Sequence, residues 1–205
     1  MADVEQPVSL LWNHRRGELL CPEAAFRIFY AIEPKRGTLV SVVPHAALDA
    51  DEATLCIPAD GDASLQLLVE LRGVTEEEAG AAADRFAAYH GANHKGSWCI
   101  MRVVGGKVSG IVLEPEDLPL AHSLAPTESA LLRQLNADRA LLARAVNSRL
   151  GIKLHDAIAV GVDPRGIDIR AAEGINRITF VRFAEDTHVA SQRIGELLAR
   201  HGALN

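Results

Sequence analysis

Asp163-Pro164-Arg165-Gly166 separates two alternating apolar runs, residues 157–163 and 166–172, and this junction restricts the fold more than any other stretch. Proline fixes one backbone torsion and glycine is free to take a positive one, so the four residues have turn chemistry. A connection this short joins only antiparallel neighbours, because parallel strands need a crossover of a dozen residues or more. Ile158, Val160 and Val162 lie on one face, and Ile167, Ile169 and Ala171 match them across the hairpin. Residues 176–181 extend the pair into a meander. A long helix is expected upstream, from about 127 to 150, with Leu131, Leu135, Leu142, Val146 and Leu150 as its apolar stripe. Asp138 falls on that stripe, so the helix must bend, stop, or find the carboxylate a partner. A last helix over about 187–201 buries Ala190, Ile194, Leu197 and Leu198, with Gly202 as its cap.

The first part of the chain is punctuated differently. Short strands are expected at 8–12, 26–32, 38–43, 53–57 and 64–71, with a polar turn at 13–17 and turn signals at Glu33-Pro34-Lys35-Arg36-Gly37. Thr75-Glu76-Glu77-Glu78 is a capping box that opens a helix, and Ala79, Ala82, Ala83 and Phe86 recur along it at helical spacing until Gly91. Strands at 98–104 and 107–113 follow, joined through Gly105-Gly106. Pro115, Pro119 and Pro126 then punctuate the segment 114–126, where a domain boundary is expected. Residues 1–118 are read as a split-barrel-like domain and 127–205 as a small αβββα domain, an α+β chain overall.

Composition removes several function classes. With a net charge of −6 and 4% aromatic residues, the chain lacks both the phosphate-neutralising charge and the stacking rings that nucleic-acid binding uses. Cys21, Cys56 and Cys99 form no C-x-x-C pair and are odd in number, which fits buried thiols in a reducing compartment better than a zinc site or a disulfide framework. Charges at Asp3, Glu5, Arg15 and Arg16 interrupt the first twenty residues, and no apolar run reaches the ~20 residues a membrane helix needs. A cytoplasmic protein without membrane insertion is expected.

Motifs then suggest a family. Gln134-Leu135-Asn136-Ala137-Asp138-Arg139 and Gly161-Val162-Asp163-Pro164-Arg165-Gly166-Ile167-Asp168-Ile169 precede Arg177-Ile178-Thr179-Phe180 and the closing helix. This succession resembles the C-terminal domain of the HugZ-type haem-utilisation family. There a His-Met-Asn-x-Asp-His helix motif leads to a Gly-Ile-Asp-x-x-Gly-Phe-Asp-Leu hairpin. Asn136 and Asp138 match, while Gln134 and Arg139 replace the two histidines. Val104-Gly105-Gly106 and Leu113-Glu114-Pro115-Glu116-Asp117-Leu118 resemble the family's last barrel strands and linker, so the likeness runs well from about 65 to 201; before 65 it thins out, and Leu39-Val40-Ser41-Val42-Val43-Pro44 resembles the family's Ala-Ser-Leu-Val-Pro strand. The family's His-Thr-x-Asn-Leu element, whose neighbourhood holds flavin phosphate in related barrels, has no counterpart. The resemblance implies an FMN-binding-like, pyridoxamine-phosphate-oxidase-like split β-barrel before the αβββα domain, and a homodimer formed through the N-terminal sheets.

The resemblance also implies a ligand. Haem-binding members use a histidine near the C-terminus, which makes His201 the candidate iron ligand, against the alternative of a surface imidazole at a helix end. Arg102 is the candidate clamp for a haem propionate or flavin phosphate, with Gly105 and Gly106 allowing close backbone approach or simply forming a hairpin. His90 and His94 flank Gly91 and are read as solvated; Ser41 and Ser109 have no evident base partner. The expected function is binding of haem or another tetrapyrrole for iron utilisation or for oxygenase-like degradation. The alternative is a non-catalytic module that binds a protein partner, and an FMN-dependent oxidoreductase stands third.

Overall fold

The computed structural model describes residues 5–50, 52–59 and 64–202 and divides the chain into two compact units, Met1–Ala121 and His122–Asn205. It is an α+β structure with a curled antiparallel sheet in the first unit and a small antiparallel sheet in the second.

The first unit opens with α1 (Glu5–Asn13), where a strand at 8–12 was expected. Val8, Leu11 and Trp12 are buried, and their i, i+3, i+4 spacing is helical although the run is short and apolar. The expected polar turn at 13–17 is also corrected, because β1 (Arg16–Leu20) begins inside it. Gly17 lies within this strand because a Cβ there would sit 2.6 Å from the Cys56 carbonyl oxygen. The expected strand at 26–32 is two strands, β2 (Ala25–Phe29) and β3 (Ala31–Glu33), hinged at fully buried Tyr30. Tyr30 is held there by its N–H, which donates to the Arg15 carbonyl at 3.0 Å, and by its hydroxyl, which donates to the Leu11 carbonyl at 3.2 Å.

The sheet continues through β4 (Thr38–Val43), β5 (Glu52–Ile57), β6 (Leu65–Val74) and β7 (Ser97–Val108), in the order β2-β1-β5-β6-β7-β4-β3. Its first and last members are consecutive in the chain, so the sheet curls until β2 and β3 meet at Tyr30. The Ser41 hydroxyl on β4 strengthens that meeting by donating to the Phe29 carbonyl at 2.6 Å. Between β6 and β7, the capping box forms as expected and opens α2 (Glu76–Ala79); Gly80, with φ +51°, breaks the helix before α3 (Ala81–His90). Ala79, Ala82, Ala83 and Phe86 are buried along this face. The strands expected at 98–104 and 107–113 are instead the single long β7 and a short β8 (Ile111–Leu113). Their turn is Ser109-Gly110, both at positive φ, rather than Gly105-Gly106.

The second unit follows its sequence pattern closely. α4 (Glu128–Asn136) ends before Asp138, whose carboxylate accepts from the Leu141 N–H at 2.8 Å and starts α5 (Arg139–Leu150). The carboxylate on the apolar stripe is therefore an N-cap, and the expected single helix is two. β9 (Ile158–Asp163), β10 (Gly166–Ala171) and β11 (Gly174–Thr179) form the meander in order, and α6 (Thr187–Gly202) closes the unit. Ile167, Ile169 and Ile178 pack with Leu131, Leu135, Leu142, Val146 and Ile194 in one core. No described helix is long and apolar enough to cross a membrane.

Candidate functional site

The residues expected to bind ligand are placed as follows. Arg102 stands on β7 directly opposite Glu70 on β6. Its Nε donates to Glu70 Oε2 at 3.0 Å and a terminal nitrogen donates to Oε1, so both arms of the fork already hold a carboxylate. Gly105 and Gly106 lie inside β7 opposite Leu68 and Leu67, next to a register shift that bulges the strand. A Cβ on Gly106 would meet the Gln66 carbonyl oxygen at 3.1 Å, which explains that glycine by strand packing. His201 is in the last turn of α6, and its side chain lies outside the described residues.

His90 and His94 are packed rather than solvated. The His90 ring sits 5.0 Å from Phe29 and 4.8 Å from Phe86, centroid to centroid, and its Nε2 donates to the Tyr30 carbonyl at 3.0 Å. His94 Nε2 in turn donates to the His90 carbonyl at 3.0 Å. Burial pushes the His90 pKa down to about 4, outweighing the opposing effect of the Tyr30 hydrogen bond, so the ring is neutral at ordinary pH. Among the described residues, no group of three His, Cys, Asp or Glu side chains is arranged to hold a metal ion.

The motif residues of the second unit have structural work. The Asn136 amide accepts from the Ala159 N–H and donates to the Ala159 carbonyl, both at 2.9 Å, imitating a neighbouring strand on β9. Buried Glu128, which sequence reasoning passed over, accepts from the Val162 N–H at 2.8 Å. Asp163 and Asp168 hold Arg177 between them at 2.8 Å each, with all three side chains at most 8% exposed. Gly166 is in ordinary extended backbone and does not use the positive torsion open to glycine. Its hydrogen side chain is needed because a Cβ would collide with the Ile178 carbonyl.

A different set of residues converges on the outer face of the β1–β2 hairpin. A cavity of about 410 Å³ is lined by His14, Arg16, Arg27, Phe29, Pro58 and Ala59, together with Gly17 and Ile28. The register puts Arg16 directly across from Phe29 and Arg27 across from Glu18, so the two arginines are diagonal neighbours on one face beside the ring. Phe29 is 47% exposed. Burial, then the charges of Arg16 and Arg15, hold the His14 imidazole below its ordinary pKa. Among the described residues, neither Arg16 nor Arg27 has an ion-pair partner. The arrangement can receive an anionic group beside an apolar or planar body. Sequence reasoning misses it because residues 13–17 read as a polar turn; the alternation Arg27-Ile28-Phe29 is the available signal.

No family model matches the sequence, and no curated protein matches it. Solved structures do. A crystal structure of a protein of unknown function from Agrobacterium tumefaciens superposes with a TM-score of 0.72 at 22% identity, covering 95% of this chain and 94% of that one. The fold is therefore shared over nearly the full length of both. A haem-binding protein from Mycobacterium smegmatis matches with a TM-score of 0.46 at 21% identity, covering 97% of each chain.

Proposed function

We propose that the protein binds haem or a closely related tetrapyrrole, and that the cavity on the outer face of β1 and β2 receives it. The observation that carries this reading is the placement of Arg16 and Arg27 around Phe29 on one cavity. A tetrapyrrole of this kind is a flat apolar ring with two carboxylates at its edge. Two guanidinium groups with no ion-pair partner among the described residues match the carboxylates, and Phe29 with the Pro58 ring offers apolar contact to the macrocycle. Haem, when bound, supplies a redox-active iron; this chain supplies the anchoring charge, the apolar wall and the exclusion of water from one face. The HugZ-type resemblance supports the same ligand class. Arg102 is left out of the site because Glu70 occupies its fork.

The test is an absorbance titration with haemin. The wild-type protein should bind and shift the Soret band, and Arg16→Ala together with Arg27→Ala should weaken binding about a hundredfold. That corresponds to roughly 1.4 kcal/mol for each lost charge-assisted contact. Equal affinity in the double variant would remove the cavity from the reading.

A further inference from the structure

We infer that His14 is the side chain that ligates the iron of the bound haem. The inference rests on the reading just given and adds to it a residue for which no family motif provides. Among the described residues, His14 is the one histidine lining the cavity that contains Arg16, Arg27 and Phe29. Its backbone is fixed on both sides. The His14 N–H donates to the Leu10 carbonyl at 3.1 Å, closing α1. A nitrogen of buried Arg15 spans the carbonyls of Leu11 and His14 at 3.0 Å each. The imidazole is thus carried on an anchored segment two residues before Arg16.

Its ring is also disengaged. Rings of four other histidines are occupied: His45 by Ser97, His90 by the Tyr30 carbonyl, His94 by the His90 carbonyl and His155 by Glu173. The His14 ring has no hydrogen-bond partner among the described residues. Half-buried, it lines the cavity beside Arg16, and imidazole is a common metal ligand. Were haem to occupy the cavity, an imidazole nitrogen of His14 would hold its iron while Arg16 and Arg27 held its carboxylates. Arg16 and Arg27, assigned to the ligand's carboxylates, line the same cavity as His14, so iron ligand and anion clamps share one wall.

The experiment compares haemin titrations of the wild type, His14→Ala and His201→Ala, read by Soret position and by electron paramagnetic resonance of the ferric complex. His14→Ala should bind haemin no more than about tenfold more weakly yet lose the imidazole-ligated signature, and free imidazole should restore it. His201→Ala should retain the wild-type spectrum. Thermal unfolding of His14→Ala should be unchanged, showing that the loss is not a folding defect. A His14→Ala complex with the wild-type spectrum overturns the inference while leaving the arginine site intact if the Arg16/Arg27 variant still binds weakly. Absence of any haemin binding by the wild type overturns the tetrapyrrole reading and this inference with it.

Discussion

Arg177 in the second unit donates to two buried aspartates, whereas Arg16 and Arg27 in the first stand on a strand face with no ion-pair partner among the described residues. All three occupy antiparallel strands, and in each case the ladder register decides the neighbour. Asp168 lies directly across from Arg177, with Asp163 completing the pair of acceptors. Across from Arg16 lies a phenyl ring. A buried guanidinium must be neutralised internally, because desolvated charge is costly. An exposed one can remain available for a ligand. The comparison separates charge used to hold the fold from charge left exposed, which residue type alone does not reveal.

The strongest way to break that distinction is to remove Arg177. Arg177→Leu leaves two carboxylates buried and should cost about 3–5 kcal/mol in chemical denaturation. Arg16→Ala or Arg27→Ala should cost within about 0.5 kcal/mol, as exposed positions do. Similar costs for the two kinds of arginine would abolish the contrast.

Acid sharpens it next. The His90 pKa in the fold, about 4, lies below its unfolded value of 6.5, so the unfolded chain takes up the proton first. This contribution to stability is fully present above about pH 6.5 and is lost as pH falls toward 4, up to roughly 3 kcal/mol. His90→Gln keeps a donor for the Tyr30 carbonyl and should flatten the stability–pH curve across that window. An unaltered slope would mean that another group provides it.

A smaller effect is expected at Asn136→Ala, which strips both hydrogen bonds from Ala159. About 2 kcal/mol should be lost, because a buried N–H and carbonyl are left without partners. Haemin affinity should stay within about twofold, since the residue's work is to hold β9. A large change in affinity would assign Asn136 to a binding role as well.

Much of the second unit was legible because its local signals agree with its tertiary arrangement. The proline–glycine turn forced an antiparallel meander, and the polar residue on an apolar stripe marked where α4 ends. In the first unit, glycine was the misleading signal. Gly17 and the Gly105-Gly106 pair looked like turns but lie within strands, because glycine also marks close approach of backbones. Val8, Leu11 and Trp12 could belong to a strand or a helix until burial distinguished the two. The candidate site was less legible than either. His14, Arg16, Arg27 and Phe29 come from two strands and the end of a helix, and only the β1–β2 register makes them neighbours. The resemblance drew attention to Asn136, Asp138, Asp163 and Asp168, which are fasteners of the fold.

The contacts of Asn136 and Glu128 with β9 also bear on how the chain behaves among other chains. A bare strand edge invites intermolecular pairing, and such pairing is how small sheets begin to aggregate. On β9, the Ala159 N–H and carbonyl and the Val162 N–H are already committed to side chains from α4. An intruding strand would have to displace an amide and a buried carboxylate to pair with these groups. The side chains that fasten α4 to the sheet are therefore also a guard against misassembly, and losing them would expose a template as well as weaken a fold.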